Sequence, residues 1–194
     1  MSPKGFLLVI ARPPAAMEEE FNAWYDTEHL PERLAVPGFL TGLRYIGTAG
    51  TGRYLALYDL ERPEVLDTPD YARVSGTNFS PWTRRVTGRS RVYRAAGAQI
   101  HPGGALTGRS AFLLLVRFRA LPADAGPAVV AGMRAGFDGR RNTIQVRVLE
   151  ADFGATRDFL GVVESRAPMD PAFEPAPFGG FADAVDLVEG FVPY

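Results

Sequence analysis

Apolar runs of strand length recur along the chain, and the series of them occurs twice. GFLLVIARPPA at 5–15 matches SAFLLLVRFRALPA at 110–123, each run halting at a proline. RYLALYDLERPEV at 53–65 matches DFLGVVESRAPMD at 158–170. Phe6 to Phe112 and Tyr54 to Phe159 are offsets of 106 and 105 residues, so the two matches agree on one repeat. Between them lie FLTGLRYIGTA (39–49) and NTIQVRVLEAD (142–152), and each half closes on a further strand-like run, SRVYRAAGAQI and AVDLVEGFVPY. A helix-length segment follows the first run of each half, which predicts the order strand, helix, strand, strand, helix, strand in both.

That order predicts an α+β fold of two ferredoxin-like βαββαβ repeats, residues 1–104 and 105–194, with HPGGALTG (101–108) as a Pro/Gly hinge. One such unit leaves a sheet face bare. Two units can bury those faces against each other as an intramolecular α/β barrel with its helices outside. Alternation then sorts the side chains. Ile144, Val146 and Val148 form an apolar face opposite Thr143, Gln145 and Arg147, and Phe112, Leu114, Val116 and Phe118 lie opposite Leu113, Leu115 and Arg117. Apolar faces are expected beneath helices and mixed faces inside the barrel. Arg117, Arg147, Arg44, Tyr54 and Tyr58 are therefore expected to point inward, toward a hydrated or ligand-filled cavity or into polar pairs with one another.

The candidate chemistry sits in FNAWYDTEHLPERLAVPGF, residues 21–39. A helix is expected from about Ala16, after Pro13 and Pro14, with Glu18, Glu19 and Glu20 near its positive end. Pro31 should stop it at His29 or Leu30, leaving the histidine at a helix end beside a loop. Tyr25 and Asp26 precede His29 by four and three residues and share its side. An imidazole can exchange protons near neutral pH. Asp26, or Glu28 or Glu32, could fix its tautomer, and Tyr25 could donate to a carbonyl or enolate oxygen. His29, Asp26 and Tyr25 are thus the candidate catalytic residues. Trp24, Arg44, Tyr54, Tyr58, Trp82, Arg117 and Arg147 are candidates for substrate binding, with Trp82 at a cavity mouth. The plainer alternative is a histidine that caps the helix end and pairs with an acid.

WYDTEHLPERLAVPGFLTGLRY resembles the first helix, turn and second strand of the dimeric α/β-barrel superfamily, particularly its EthD-like and related uncharacterised members. The resemblance implies a small-molecule enzyme. The superfamily includes cofactor-independent cyclases, isomerases, dehydratases and quinone-forming monooxygenases, as well as haem-handling proteins. It also implies that His29 is the catalytic candidate, with Trp24, Tyr25 and Asp26 at neighbouring motif positions. The second half has PAVVAGMRAGFD at the matching place, without histidine, so one such site is expected per chain.

Composition narrows the alternatives. The chain has no cysteine and two histidines, which excludes thiolate metal sites and a cysteine nucleophile and leaves no metal-ligand spacing. With 21 Lys plus Arg against 22 Asp plus Glu, no global field favours nucleic acid or an anionic membrane. The glycines of GTAGTGR (47–53) join two strands and open no helix, so they read as a hairpin loop and not as a phosphate cradle. GFLLVIA is too short to span a bilayer and lacks the features of a secretion signal, which points to the cytoplasm. The expected function is cofactor-independent proton chemistry on an apolar carbonyl-bearing or aromatic substrate, of isomerase, cyclase, dehydratase or oxygenase type. A haem or small-ligand carrier using His29 or His101, and a non-catalytic structural protein, are the competing readings. Association into a homodimer is left open.

Overall fold

Eight strands form on the apolar runs, in a computed structural model that describes residues 3–194. They are β1 (Gly5–Arg12), β2 (Phe39–Gly47), β3 (Tyr54–Leu60), β4 (Arg91–His101), β5 (Phe112–Leu121), β6 (Thr143–Asp152), β7 (Arg157–Ser165) and β8 (Val185–Pro193). The pairings are antiparallel and close a barrel in the order β1-β3-β2-β8-β5-β7-β6-β4. The order β4-β1-β3-β2 within residues 5–101 recurs as β8-β5-β7-β6 within 112–193. The halves join along two short seams. In one, Tyr45, Ile46 and Gly47 pair with Pro193, Val192 and Phe191. In the other, Gly97 to His101 of β4 pair with Ala151 to Val148 of β6.

The barrel interior is filled. Phe6, Leu8, Leu57, Leu115, Leu160 and Val162 pack in its middle, all fully buried or nearly so. At one end the buried Arg147 guanidinium donates to Gln99 Oε1 at 2.9 Å, to Thr107 Oγ1 at 2.6 Å and to Asp59. Asp59 in turn accepts from Thr41 Oγ1 and from the Thr107 amide, both at 2.6 Å. Glu164 accepts from the Gly108 amide and from Gln145. A buried cation is tolerated when its donors are met, and here they are. The expected ligand cavity inside the barrel is therefore replaced by an apolar core with a polar plug. The 101–108 segment is not a free hinge, because the Thr107 and Gly108 amides fasten it across the barrel end.

Alternation places the two halves differently from expectation. Arg147 does point inward, and Arg117 sits at the opposite barrel mouth against Asp186 and Tyr93. Arg44, Tyr54 and Tyr58 point outward instead, into the layer beneath the first-half helices, while Leu43, Tyr45, Leu55 and Leu57 face the core. A polar-tipped face is not diagnostic of the interior when the helix layer itself is built from aromatics. That layer comprises α1 (Glu18–Trp24), α2 (Leu30–Leu34), α3 (Pro69–Ala72) and α4 (Pro81–Thr87). The second half carries α5 (Gly126–Phe137), and its other connection is not the expected α-helix but a 3-10 segment, Ala176–Ala184. Pro175 and Pro177 stand at its start, where a missing amide hydrogen costs a helix nothing, and Gly179, at φ 54°, interrupts the run before an α-helix can propagate. No helix among the described residues is long and apolar enough to cross a membrane.

Candidate functional site

The site begins with a helix that should have stopped. Pro31 lacks an amide hydrogen, and its ring would clash with the carbonyl of Thr27 in a regular α-helix. The chain relieves this by widening into a π-helical turn at Tyr25–His29 between α1 and α2, with Pro31 in the first turn of α2. The predicted break at His29 or Leu30 does not occur. His29 lies mid-helix instead of beside a loop, with only 9% of its surface exposed.

The wide turn gathers three rings. The Trp24 and His29 centroids are 4.2 Å apart with planes at 31°, and Tyr25 meets His29 edge-on at 5.2 Å. Trp24 is held by its Nε1, which donates to Thr83 Oγ1 at 2.9 Å. Thr83 and Ser80 both donate to Glu28, binding α4 to the turn. Trp24, Tyr25 and His29 border a cavity of about 230 Å³ between the outer face of β1 (Leu7, Val9, Ala11), the helix, Tyr71 of α3 and the loop residue Phe79. Arg33 and Arg94 also line it. The cavity thus lies between sheet and helices.

Burial, then the Arg33 and Arg44 guanidiniums, hold the His29 pKa down to about 3. Burial pushes the Tyr25 hydroxyl up to about 12. At neutral pH both are uncharged. The His29 Nδ1 is buried with no hydrogen-bond partner, which is costly unless a ligand supplies one.

Of the residues singled out by sequence, the structure brings Trp24, Tyr25 and His29 together. Asp26 is turned away: it is about half exposed and accepts from Arg44 at 2.5 Å. It borders a separate cavity of about 330 Å³ with Arg44, Tyr45, Arg109 and Tyr194. Glu28 is taken by Ser80 and Thr83, so neither acid fixes the His29 tautomer. Tyr54 donates to Glu18 at 2.6 Å and accepts from Asn22. Tyr58 is buried in the aromatic layer and its hydroxyl has no partner. Trp82 packs against that layer without lining the cavity. Arg117 and Arg147 serve the barrel mouth and the plug. His101 lies at the end of β4, where Arg134 of α5 and Asp138 just beyond it act on it. No cluster of three or more metal-ligating side chains occurs among the described residues.

Sequence reasoning missed Arg33, Tyr71, Phe79 and Arg94. Arg33 alone carried a signal, since it follows His29 by four residues and so shares its helix face.

No protein-family profile and no curated protein matches the chain. Solved structures do. An anthrone oxidase-like protein superposes with a TM-score of 0.71 at 10% identity, over 100% of this chain and 92% of its own. A candidate monooxygenase from Lactobacillus acidophilus NCFM gives 0.57 at 10% identity, over 99% and 94%. A mutant chlorite dismutase from Candidatus Nitrospira defluvii, in complex with cyanide, gives 0.61 at 8% identity, over 100% and 91%. At such identities the likeness is one of fold: this chain has the α+β barrel that these proteins share.

Proposed function

We propose that the chain is a small-molecule enzyme that works without a bound cofactor and removes a proton from carbon next to a carbonyl, with His29 as the base. The observation that carries this is the uncharged His29 among the aromatic side chains that line a mostly apolar cavity. In the step, a C–H bond beside the carbonyl breaks, the proton passes to the imidazole, and the electron pair moves onto the carbonyl oxygen. Trp24 and Tyr25 hold the ring in place, and Tyr25 and the arginines stabilise the enolate. Return of the proton elsewhere would be isomerisation. Reaction of the electron-rich enolate with O₂ would be the oxygenase branch, which the fold shared with an anthrone oxidase-like protein favours.

The repeated strand order supports reading residues 1–104 and 105–194 as two ferredoxin-like units of an EthD-like or related barrel protein, with the site in the first unit only. A homodimer would leave this arrangement unchanged. A haem does not suit the cavity. The only histidine there is nearly buried, at 9% exposed, which leaves little room for a porphyrin beside it. The volume of about 230 Å³ falls below the roughly 300 Å³ at which pockets for drug-sized ligands begin.

Anthrone is a suitable probe, being aromatic and carbonyl-bearing with an acidic C–H bond. Its exchange of that hydrogen for solvent deuterium without oxygen reads proton transfer alone. Under air, the oxygenase branch would consume one O₂ and release one water per quinone formed. Exchange is expected to be catalysed by the protein, lost in His29→Gln and kept in Asp26→Asn. Exchange indifferent to His29→Gln, or a Soret band on haem addition that His29→Ala abolishes, would overturn the reading.

A further inference from the structure

Arg33 is 2% exposed and forms no salt bridge with any described residue. A buried guanidinium without a counter-charge is expensive, and proteins normally pair it. Its surroundings show which part of it is left over. The guanidinium carbon lies 5.3 Å from the Tyr71 ring centroid and 5.8 Å from that of Phe79, so two aromatic rings pack against it. Nη1 donates to the Val74 carbonyl at 2.5 Å. Nε and Nη2 remain, and these are the two donors of the side-on fork that matches a carboxylate. Arg33 borders the His29 cavity, and no acidic residue among the described ones does. At the same cavity Arg94, which is exposed, donates to the Tyr71 hydroxyl at 3.3 Å, placing a second positive charge beside the first.

We propose that the His29 cavity is built for an aromatic or apolar acid, with Arg33 clasping the substrate's carboxylate and Arg94 drawing it in. The proposal rests on the reading of this cavity as a small-molecule site. A carboxylate suits it better than a phosphate, because the single buried guanidinium offers a planar two-donor fork, which matches a planar monoanion of two oxygens. The acid also has a chemical consequence. Arg33 is one of the charges that disfavour protonation of His29, and a carboxylate paired with it removes that opposition, so binding of the correct substrate makes the base more basic.

The test is binding of 1-naphthoate against 1-naphthamide, which keeps the rings and removes the charge. Both are titrated into the full chain with Trp fluorescence or calorimetry as the readout. The wild type is expected to favour naphthoate by at least about tenfold. Arg33→Met should abolish that preference, Arg94→Met should reduce it, and His29→Gln should keep it. Equal binding of the two, or binding of neither, overturns the proposal, and so does a preference that survives Arg33→Met. If Arg33→Met fails to fold, the wild-type comparison decides alone, and Arg33→Lys, which keeps charge but lacks the fork, should retain only part of the preference. Retained acid preference with no His29-dependent exchange would sink the proton-transfer reading and leave the acid site standing.

Discussion

A histidine whose pKa is held at about 3 is uncharged throughout the neutral range, and this makes the fold sensitive to acid in a way that an exposed histidine would not. The folded pKa lies below the unfolded value of about 6.5, so in acid the unfolded chain takes up a proton that the folded chain refuses. The contribution is complete above about pH 6.5 and is lost as the pH falls from there toward 3. Between about pH 7.5 and pH 5 the linkage amounts to about 2 kcal/mol. Urea unfolding at the two pH values should show that loss in the wild type, and His29→Gln should remove most of it. Equal losses in both proteins would mean that His29 is not held neutral by burial. The same residue shows how far a linear reading reaches. Its helical neighbours Trp24, Tyr25 and Arg33 follow from spacing, whereas Tyr71, Phe79 and Arg94 are brought to it by α3, a loop and β4. Asp26 was the residue that spacing misplaced, because Arg44 offered it a better partner than the imidazole did.

At the level of elements, local chemistry decided most outcomes. The strands were legible as apolar runs of strand length, and β5 and β6 turn the expected faces inward. The faces of β2 and β3 were misassigned because the helix layer above them is itself rich in aromatic side chains with polar tips. Two further departures are local, the π turn at Pro31 and the 3-10 segment Ala176–Ala184, which Gly179 kinks. That segment covers α5 through a close approach at Gly132, where an added Cβ would stand 2.4 Å from the Phe178 ring and 2.9 Å from the Pro177 carbonyl. Gly132→Ala is expected to lose about 1–3 kcal/mol by overpacking, despite alanine's better helix propensity. Phe178→Ala should lose about 3–5 kcal/mol. Thermal unfolding of both variants checks this, and a Gly132→Ala protein as stable as the wild type would show that the 3-10 segment does not press on α5.

For the whole molecule, the barrel is held by an apolar middle and a polar end, and the two respond differently to substitution. Asp59→Asn removes the nearer of the two anions beside the buried Arg147 guanidinium, leaving Glu164 at 3.9 Å, and is expected to lose about 3 kcal/mol. Adding Arg147→Met to that variant should restore part of the loss, since the under-compensated cation goes with it while Glu164 keeps the Gly108 amide and Gln145 as donors. Denaturant unfolding of the two single variants and the double variant measures the coupling. If the second substitution restores nothing, the network does not balance charge as described. The plug draws Asp59 from β3, Gln99 from β4, Arg147 from β6 and Thr107 from the segment between the halves. Successive side chains on a strand point to opposite faces, so a one-residue slip of β6 would send Arg147 out beneath α5 and put a valine in its place. Leucines and valines would accept many misalignments of eight strands almost equally well; the guanidinium accepts one, and so acts as the key that tells the closing barrel which strand alignment is correct.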